Sequence, residues 1–451
     1  MDPVSFPEFR ESARDLTVLA HADVLVAGGG PGGTAAAIAA ARQGARVILV
    51  ERFGAFGGTW TSGLLSSIMP FPFVRGLFAE VIGRLEAAGG WRPSAKEDPY
   101  EAGGHVLSVD STPWGHGGTY DAETLKMVLD EMVVEAGVVP WFFLQIAGVF
   151  RKGNRVTGLV VESKEGRFAM TADYFIDATG DGDLCERAGI PTEYGRPSDG
   201  GVQPMTLMFK MAGVDDVRAG DACRRDPRLG MAWEAAKRAG EVTVPRENVL
   251  LSPSPRCGEW VFNSTRVLGK NGTKVRDVTE AMIEGRRQVR EVAVFLRKYV
   301  PGFENARVSE TAAHVGVRET RRVRCDHTLT AEDIVNGTTF PDGIARGSWY
   351  IDIHNPTGEG TEVRSPPPGC FYEIPFRCIR PQEVENVLVA SRCLDCTHEA
   401  HAAVRITPQI VAIGQAAGTA AALCHQNRLI GTRSLDAEKL RTELRRQNAF
   451  V

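Results

Sequence analysis

The stretch from Ala22 to Glu51 constrains this chain more than any other. Val24-Leu25-Val26 is a continuous apolar run, the pattern of a strand buried on both faces of a parallel sheet. It leads directly into Gly28-Gly29-Gly30-Pro31-Gly32-Gly33, then into an alanine-rich segment, Thr34 to Arg42, closed by Gly44. A second apolar strand, Arg46 to Val50, ends in Glu51. Strand, glycine turn, helix and strand in this order form the opening unit of a dinucleotide-binding fold. Gly28 allows the tight turn, Gly30 lets backbone N–H groups reach a pyrophosphate, and Gly33 lets helix and strand lie close. Pro31 and Gly32 complete the turn at a helix N-terminus, whose unpaired N–H groups attract phosphate. Glu51 follows Gly28 by 23 residues and is placed to accept from both ribose hydroxyls. Its charge argues against a 2′-phosphate.

Further along, Leu125, Val128, Leu129, Met132 and Val133 repeat on one helical face, with Asp121 as N-cap and Gly137 as stop. From Phe142 to Ile176, apolar runs separated by Lys152-Gly153-Asn154 and Lys164-Glu165-Gly166 read as an antiparallel meander. Between Gly54 and Gly118 the periodicity is lost, which predicts loops and short helices. Residues 191 to 365 are polar and proline-punctuated around a helix expected from Val278 to Tyr299, with Asp277 and Glu280 spaced as a capping box. Buried-strand composition returns at Val387-Leu388-Val389-Ala390, followed by a helix expected over 408–423 with Thr407 as cap. Gly414, Ala417, Gly418 and Ala421 on that helix permit close packing against a sheet or a cofactor. The fold class is therefore α/β: a Rossmann-like dinucleotide-binding domain (parallel sheet with antiparallel meander) plus an inserted α+β substrate domain. The expected boundaries are 20–190 and 366–430 for the two parts of the first domain, 191–365 for the insertion, and 431–451 for a C-terminal helix or tail.

NAD and FAD share the glycine fingerprint. FAD is favoured by the further glycines in Arg52-Phe53-Gly54-Ala55-Phe56-Gly57-Gly58-Thr59, a second run of backbone for an extended nucleotide. It is also favoured by the strand-end motif Ile176-Asp177-Ala178-Thr179-Gly180-Asp181-Gly182-Asp183. With these motifs the chain resembles the FAD-dependent oxidoreductases of the two-dinucleotide-binding-domain type, in the glutathione reductase and fumarate reductase flavoprotein superfamily. The resemblance runs from about Ala22 to Leu423. It includes Tyr120 to Lys126, Gly316 to Val323, Tyr372 to Arg377, Leu388-Val389-Ala390-Ser391-Arg392-Cys393, and Gly414-Gln415-Ala416-Ala417-Gly418. It implies that Glu51 binds the adenosine ribose beside Arg52, and that Gly57, Gly58 and Thr59 line the pyrophosphate and flavin path. Ala178, Thr179, Gly180, Asp181 and Asp183 would close over the FAD, and the segment Arg405 to Gln409 would direct N–H groups at the flavin pyrimidine edge. Thr59-Trp60-Thr61 has no histidine where succinate-oxidising relatives attach FAD covalently, so non-covalent FAD is expected.

On the substrate side the candidates are Arg318, Arg321, Arg322, His314, His354, His398, His401 and Arg405. Arg318-Glu319-Thr320-Arg321-Arg322 would clamp a carboxylate or polarise a carbonyl if its guanidiniums converge, and His354 would take the proton that accompanies hydride transfer. The expected activity is hydride transfer between non-covalently bound flavin N5 and a small or medium organic substrate, with Arg318, His354, Arg405 and His398 as catalytic residues and an electron donor or acceptor left unknown. Two alternatives remain open. One is a flavin monooxygenase or oxidase, which would need an external reductase because no second GxGxxG is present. The other is a thiol or metal protein using Cys393, Cys396, His398 and His401; the leading reading assigns no metal. With 52 basic and 56 acidic side chains mixed along 451 residues and no long apolar run, neither a nucleic acid nor a membrane is expected as partner. Nine cysteines without a secretion signal point to reduced thiols and a cytoplasmic location. A homo-oligomer is compatible with the sequence.

Overall fold

The computed structural model describes residues 9, 11–71, 75–94, 117–367 and 369–451. Part of the expected loop region between Gly54 and Gly118, residues 95–116, lies outside them. The first strand, β1 (Val18–Ala27), is buried from Ala22 onward and leads through the glycine turn into α1 (Pro31–Arg42) and then β2 (Val47–Val50). β1 pairs in parallel with β2 on one side and with the strand Gly166–Asp177 on the other, and β2 pairs in parallel with Val139–Trp141. The far edge of Gly166–Asp177 is shared. Its first half runs antiparallel to Arg155–Ser163 and thence to Gln145–Lys152, while its last residues run parallel to Val387–Val389. A strand near residue 388 thereby returns to the sheet begun at residue 18, one strand away from β1.

The helix Ala122–Glu135 is capped by Asp121, whose side chain accepts from Thr124 N. A helix at Gly76–Ala87 and another at His398–Val404 were not individually expected. The helix Thr407–Gln426 is capped at Ile406, so Thr407 is its first residue rather than its cap, and a further helix, Ala437–Arg446, follows it. The two glycines of Thr407–Gln426, Gly414 and Gly418, lie against α1. A Cβ on Gly414 would fall 2.1 Å from Gly32 O, and one on Gly418 would fall 2.0 Å from Ala36 O. The alanines of α1 are the other half of this close packing, since neither helix has side chains to hold the backbones apart.

A second hydrophobic core gathers Leu207, Phe209, Trp233, Phe262, Val292, Leu296 and Phe303. It is built on an antiparallel sheet in the order Leu251–Pro253, Glu259–Phe262, Phe209–Ala212, Arg307–Thr311, covered by the helix Val275–Tyr299. That helix starts three residues before the expected position, at N-cap Lys274. Asp277 and Glu280 form no capping box: Asp277 accepts from Asn271 N at 2.9 Å, and Glu280 pairs with Lys270 and Arg276. The second core closes at Ala312, whereas Val323, Cys325, Ile344 and Ile351 pack in the first core. Part of the expected 191–365 segment, from Val323 to Ile353, thus shares its core with the sheet domain.

Candidate functional site

A cavity of about 960 Å³ lies beyond the carboxyl ends of β1, β2, Gly166–Asp177 and Val387–Val389, roofed by the inserted unit. The carboxyl edge of a parallel sheet is where ligands of such folds bind, because glycine turns and helix N-termini gather there.

At one end the three glycines of the first turn do three different things. Gly28 has φ +104°, and a Cβ there would meet Ala178 O at 2.5 Å. Gly33 has its Cβ position 1.8 Å from Gly28 O, so α1 can approach β1 only without a side chain. Gly30 is the N-cap of α1 and lines the cavity, and a Cβ on it would meet nothing within 4 Å. Gly28 and Gly33 therefore serve the fold and Gly30 faces the cavity, with Pro31 and Gly32 beside it. Glu51, 5% exposed, accepts from Gly29 N through Oε2 (2.7 Å) and from Phe53 N through Oε1 (2.8 Å). Burial pushes its carboxyl upward against the pull of those two N–H groups. Each oxygen keeps acceptor capacity for a ribose hydroxyl. Arg52 also lines this end, 4.9 Å over the Phe53 ring, which stacks on His314. Gly58 and Thr59 line the path onward. Gly57 stands behind it, with φ +98° and its N–H donated to Gly29 O at 2.7 Å, tying the second glycine run to the first.

The strand-end loop is organised by buried Asp177. Its Oδ1 accepts from Thr179 N and Oγ1, and its Oδ2 accepts from Cys185 N. This presents Ala178, Thr179, Gly180, Asp181 and Asp183 to the cavity. Asp181 Oδ1 accepts from Arg392 Nη2 (2.6 Å) and Thr320 Oγ1, while Arg321 pairs with Asp183 and donates to Asp181 O. Arg392 lines the cavity over Gly180, and its buried Nε has no partner among the described residues. It is a cation on the cavity wall to which the sequence reading assigns no role. Its position just past the end of Val387–Val389 is the signal that would have found it.

At the other end, Arg318 donates to Pro204 O (2.5 Å) and Thr206 Oγ1 (2.7 Å). Arg405, between the helices His398–Val404 and Thr407–Gln426, donates to Gln203 Oε1 (3.3 Å) and lies 4.0 Å from Asp352. Arg246, Trp349, Tyr350 and His354 line the same space. His354 Nδ1 lies 3.2 Å from Arg266 Nη2, and a guanidinium can only donate, so the neutral ring carries its hydrogen on Nε2. Burial, with Arg318, Arg405, Arg246 and Arg266 around it, holds His354 well below the usual imidazole range. The expected role of proton acceptor therefore does not fit His354: its free lone pair is occupied and the field opposes a second proton.

The residues present suit an extended dinucleotide: an acid for a ribose, an open glycine and a helix start for a diphosphate, and beside them Arg392, paired with Asp181 but with its Nε unpartnered among the described residues. The family described as FAD dependent oxidoreductase matches residues 23–444. The chain belongs to that family, and FAD is its cofactor. Thiamine thiazole synthase from Methanococcus vannielii is 29% identical over 171 residues, which cover 36% of this chain and 57% of that protein. The chain thus spans little more than half the length of that curated relative. Among solved structures, a geranylgeranyl bacteriochlorophyll reductase-like protein from Thermoplasma acidophilum is similar at 14% identity and TM-score 0.46, over 95% of this chain and 84% of its own. The p-nitrophenol 4-monooxygenase from Pseudomonas putida is similar at 14% identity and TM-score 0.42, over 68% and 70%.

Several expected site residues of this flavoprotein lie away from the cavity. Arg321 is committed to the 181–183 loop, and Arg322 is buried on Glu319 (2.8 Å), Cys396 O and Gly195 O, so the three guanidiniums of 318–322 do not converge. His398 does not line the cavity. Its Nδ1 lies 2.8 Å from Glu319, and Glu319 accepts from Gln203 N, which leaves His398 behind Arg405 rather than beside a substrate. Gln409 also stands off the cavity, donating to Tyr372 OH at 3.3 Å. Cys393 Sγ contacts Ser391 Oγ and Cys396 Sγ donates to Leu394 O; both thiols are free and buried, and burial raises both. Among the described residues, Cys393, Cys396, His398 and His401 do not bring three ligand atoms together for a metal. No helix among them is long and apolar enough to cross a membrane.

Proposed function

We propose that this flavoprotein is an oxidoreductase that exchanges a hydride with a small or medium organic substrate held between the sheet domain and the inserted unit. The observation that carries this reading is the continuity of one cavity, which reaches from Gly30 and Glu51 to Arg318, Asp352 and Arg405. Bound FAD would supply the two-electron acceptor or donor at flavin N5. The residues of the chain do the rest. Glu51, Gly30 and the helix start at Pro31 hold the nucleotide, and Arg392 faces its diphosphate. Thr407 and Pro408, also on the cavity, begin a helix whose positive end favours the negative charge of a reduced ring. Arg318 and Arg405 orient the substrate. In the direction of substrate oxidation, the proton released with the hydride passes to Asp352 Oδ2, the carboxylate oxygen beside His354 and Arg405. Neutral His354 donates through Nε2 and keeps its Nδ1 on Arg266.

The test is anaerobic mixing of the FAD-loaded protein with a panel of alcohols, amines and acids, following bleaching of the flavin band. A substrate that bleaches wild type should fail to bleach Arg318→Met and Asp352→Asn while both retain FAD. Unchanged bleaching in both variants would remove these residues from the reaction.

A further inference from the structure

Four guanidiniums meet at the substrate end: Arg246, Arg266, Arg318 and Arg405. They come from four separate segments of the chain, and burial together with their mutual repulsion lowers Arg318 well below its ordinary value. Two have carboxylates in reach: Arg266 lies 3.5 Å from Glu247, and Arg405 lies 4.0 Å from Asp352. Among the described residues the other two form no ion pair, although Glu247 and Asp352 act on Arg246, and Asp352 on Arg318, from further off. Arg318 donates only to neutral oxygens, of Pro204, Thr206 and Asn263. Arg246 is 3% exposed, lines the cavity, and has neither Nε nor Nη1 hydrogen-bonded among the described residues. Its backbone is fixed, since Arg246 O accepts from Trp233 Nε1 (2.8 Å) and Lys237 Nζ (3.1 Å), so the side chain is held at this wall. Burial brings its pKa to about 10, which leaves it charged at neutral pH.

A buried guanidinium without an ion pair is strongly unfavourable, and four guanidiniums facing Glu247 and Asp352 leave a net positive charge that an anion relieves. Around them the wall is apolar: Trp349 and Tyr350 stack with centroids 4.4 Å apart, and Leu250 and Phe262 adjoin the same space. The ligand therefore combines a carbon skeleton with a negative group. The planar fork of arginine matches a carboxylate in bidentate geometry, and a carboxylate anchors an organic acid with its oxidisable carbon at a fixed distance.

We propose that the substrate end of the cavity takes the carboxylate of an organic acid, with Arg246 and Arg318 as its charge partners. The proposal rests on the reading of this cavity as one that holds both flavin and substrate, and it names the substrate class.

The experiment uses the FAD-loaded protein, with flavin content measured first. Benzoate, benzamide and inorganic phosphate are titrated while the visible flavin spectrum and the melting temperature are followed. Benzoate should bind about 10-fold or more tighter than its uncharged amide, the factor expected for a charge-assisted hydrogen bond. Arg246→Met should abolish that preference with flavin content unchanged, and Arg246→Lys, which keeps the charge, should retain part of it. Equal affinity for benzoate and benzamide, tighter binding of phosphate than of benzoate, or undiminished preference in Arg246→Met would each overturn the assignment. Protein that takes up no FAD would overturn the functional reading and this one with it, whereas FAD-loaded protein indifferent to ligand charge would overturn this one alone.

Discussion

The two ends of the cavity are built on opposite principles. The nucleotide end is made of backbone: glycines at Gly28, Gly30 and Gly33, a helix start at Pro31, and Glu51 clasped by the N–H groups of Gly29 and Phe53. Most of these residues lie within thirty positions of one another, and the geometry follows from one βαβ unit. The substrate end is made of the long charged side chains of Arg246, Arg266, Arg318 and Arg405 around neutral His354, brought together by an inserted unit and two helices. A common ligand can be held by local backbone. A ligand that differs among proteins of similar architecture is recognised by side chains that long-range folding assembles.

The sharpest test of this contrast lies within the glycine turn. Gly33→Ala forces a Cβ onto Gly28 O and should destabilise the fold by about 3 kcal/mol or more, read as a lowered melting temperature in apoprotein. Gly30→Ala has open space, so it should leave the apoprotein melting temperature almost unchanged and lower FAD occupancy instead. Equal melting temperatures for the two variants would break the division between structural and cavity-facing glycines. Next in size, Glu51→Ala should weaken FAD by roughly 10- to 100-fold, an effect of about 1.5–3 kcal/mol for hydrogen bonds to a charged acceptor; equilibrium dialysis measures it, and undiminished affinity would remove the ribose assignment.

Both ends of the cavity should respond to pH, through His354 at the substrate end and His314 at the nucleotide end. Burial, as the largest cause, depresses His354, His401 and His314 below 6.5. In the folded chain they stay neutral, while in the unfolded chain they protonate below about pH 6.5. The unfolded state then holds more protons, so stability is lost as pH falls from 6.5 toward the folded pKa values, by up to about 1.4 kcal/mol per pH unit for each histidine. Denaturant titrations from pH 7.5 to 5.5 should show this slope, and His354→Gln should remove one proton's share. An unaltered slope in that variant would mean His354 is already charged in the fold. The smallest effect is a gain: Arg246→Met replaces an unpaired buried charge by an apolar side chain and should stabilise ligand-free protein by about 1 kcal/mol. A loss of stability would show that Arg246 has a partner in the folded protein.

Much of the sheet domain was legible because its signals are local. The buried runs, the glycine turn, the acid at the end of β2, the meander and the cap at Asp121 each depend on neighbours a few residues away. The errors arose where a local pattern had a better long-range partner. Asp277 and Glu280 are spaced for a capping box, yet they serve Asn271 N and Lys270. Gly414 and Gly418 suit a cofactor as well as a helix, and α1 takes them. Arg321 and Arg322 sit beside Arg318 in sequence, but a strand sends successive side chains to opposite faces, and each finds a different acid. Conversely, Arg246 carries no motif that marks it, and Arg392, though inside the motif Leu388 to Cys393, was given no role by it; only the fold places them on the cavity.

The sequence by itself determined the dinucleotide unit, the flavin-type strand ends and the family, because backbone conformation at glycine and apolar periodicity are local properties that survive without a three-dimensional frame. Tertiary structure decided which of the many arginines and histidines face the substrate space. That choice depends on which buried charge finds a carboxylate across hundreds of residues and which is left without one, and no spacing in the sequence encodes it.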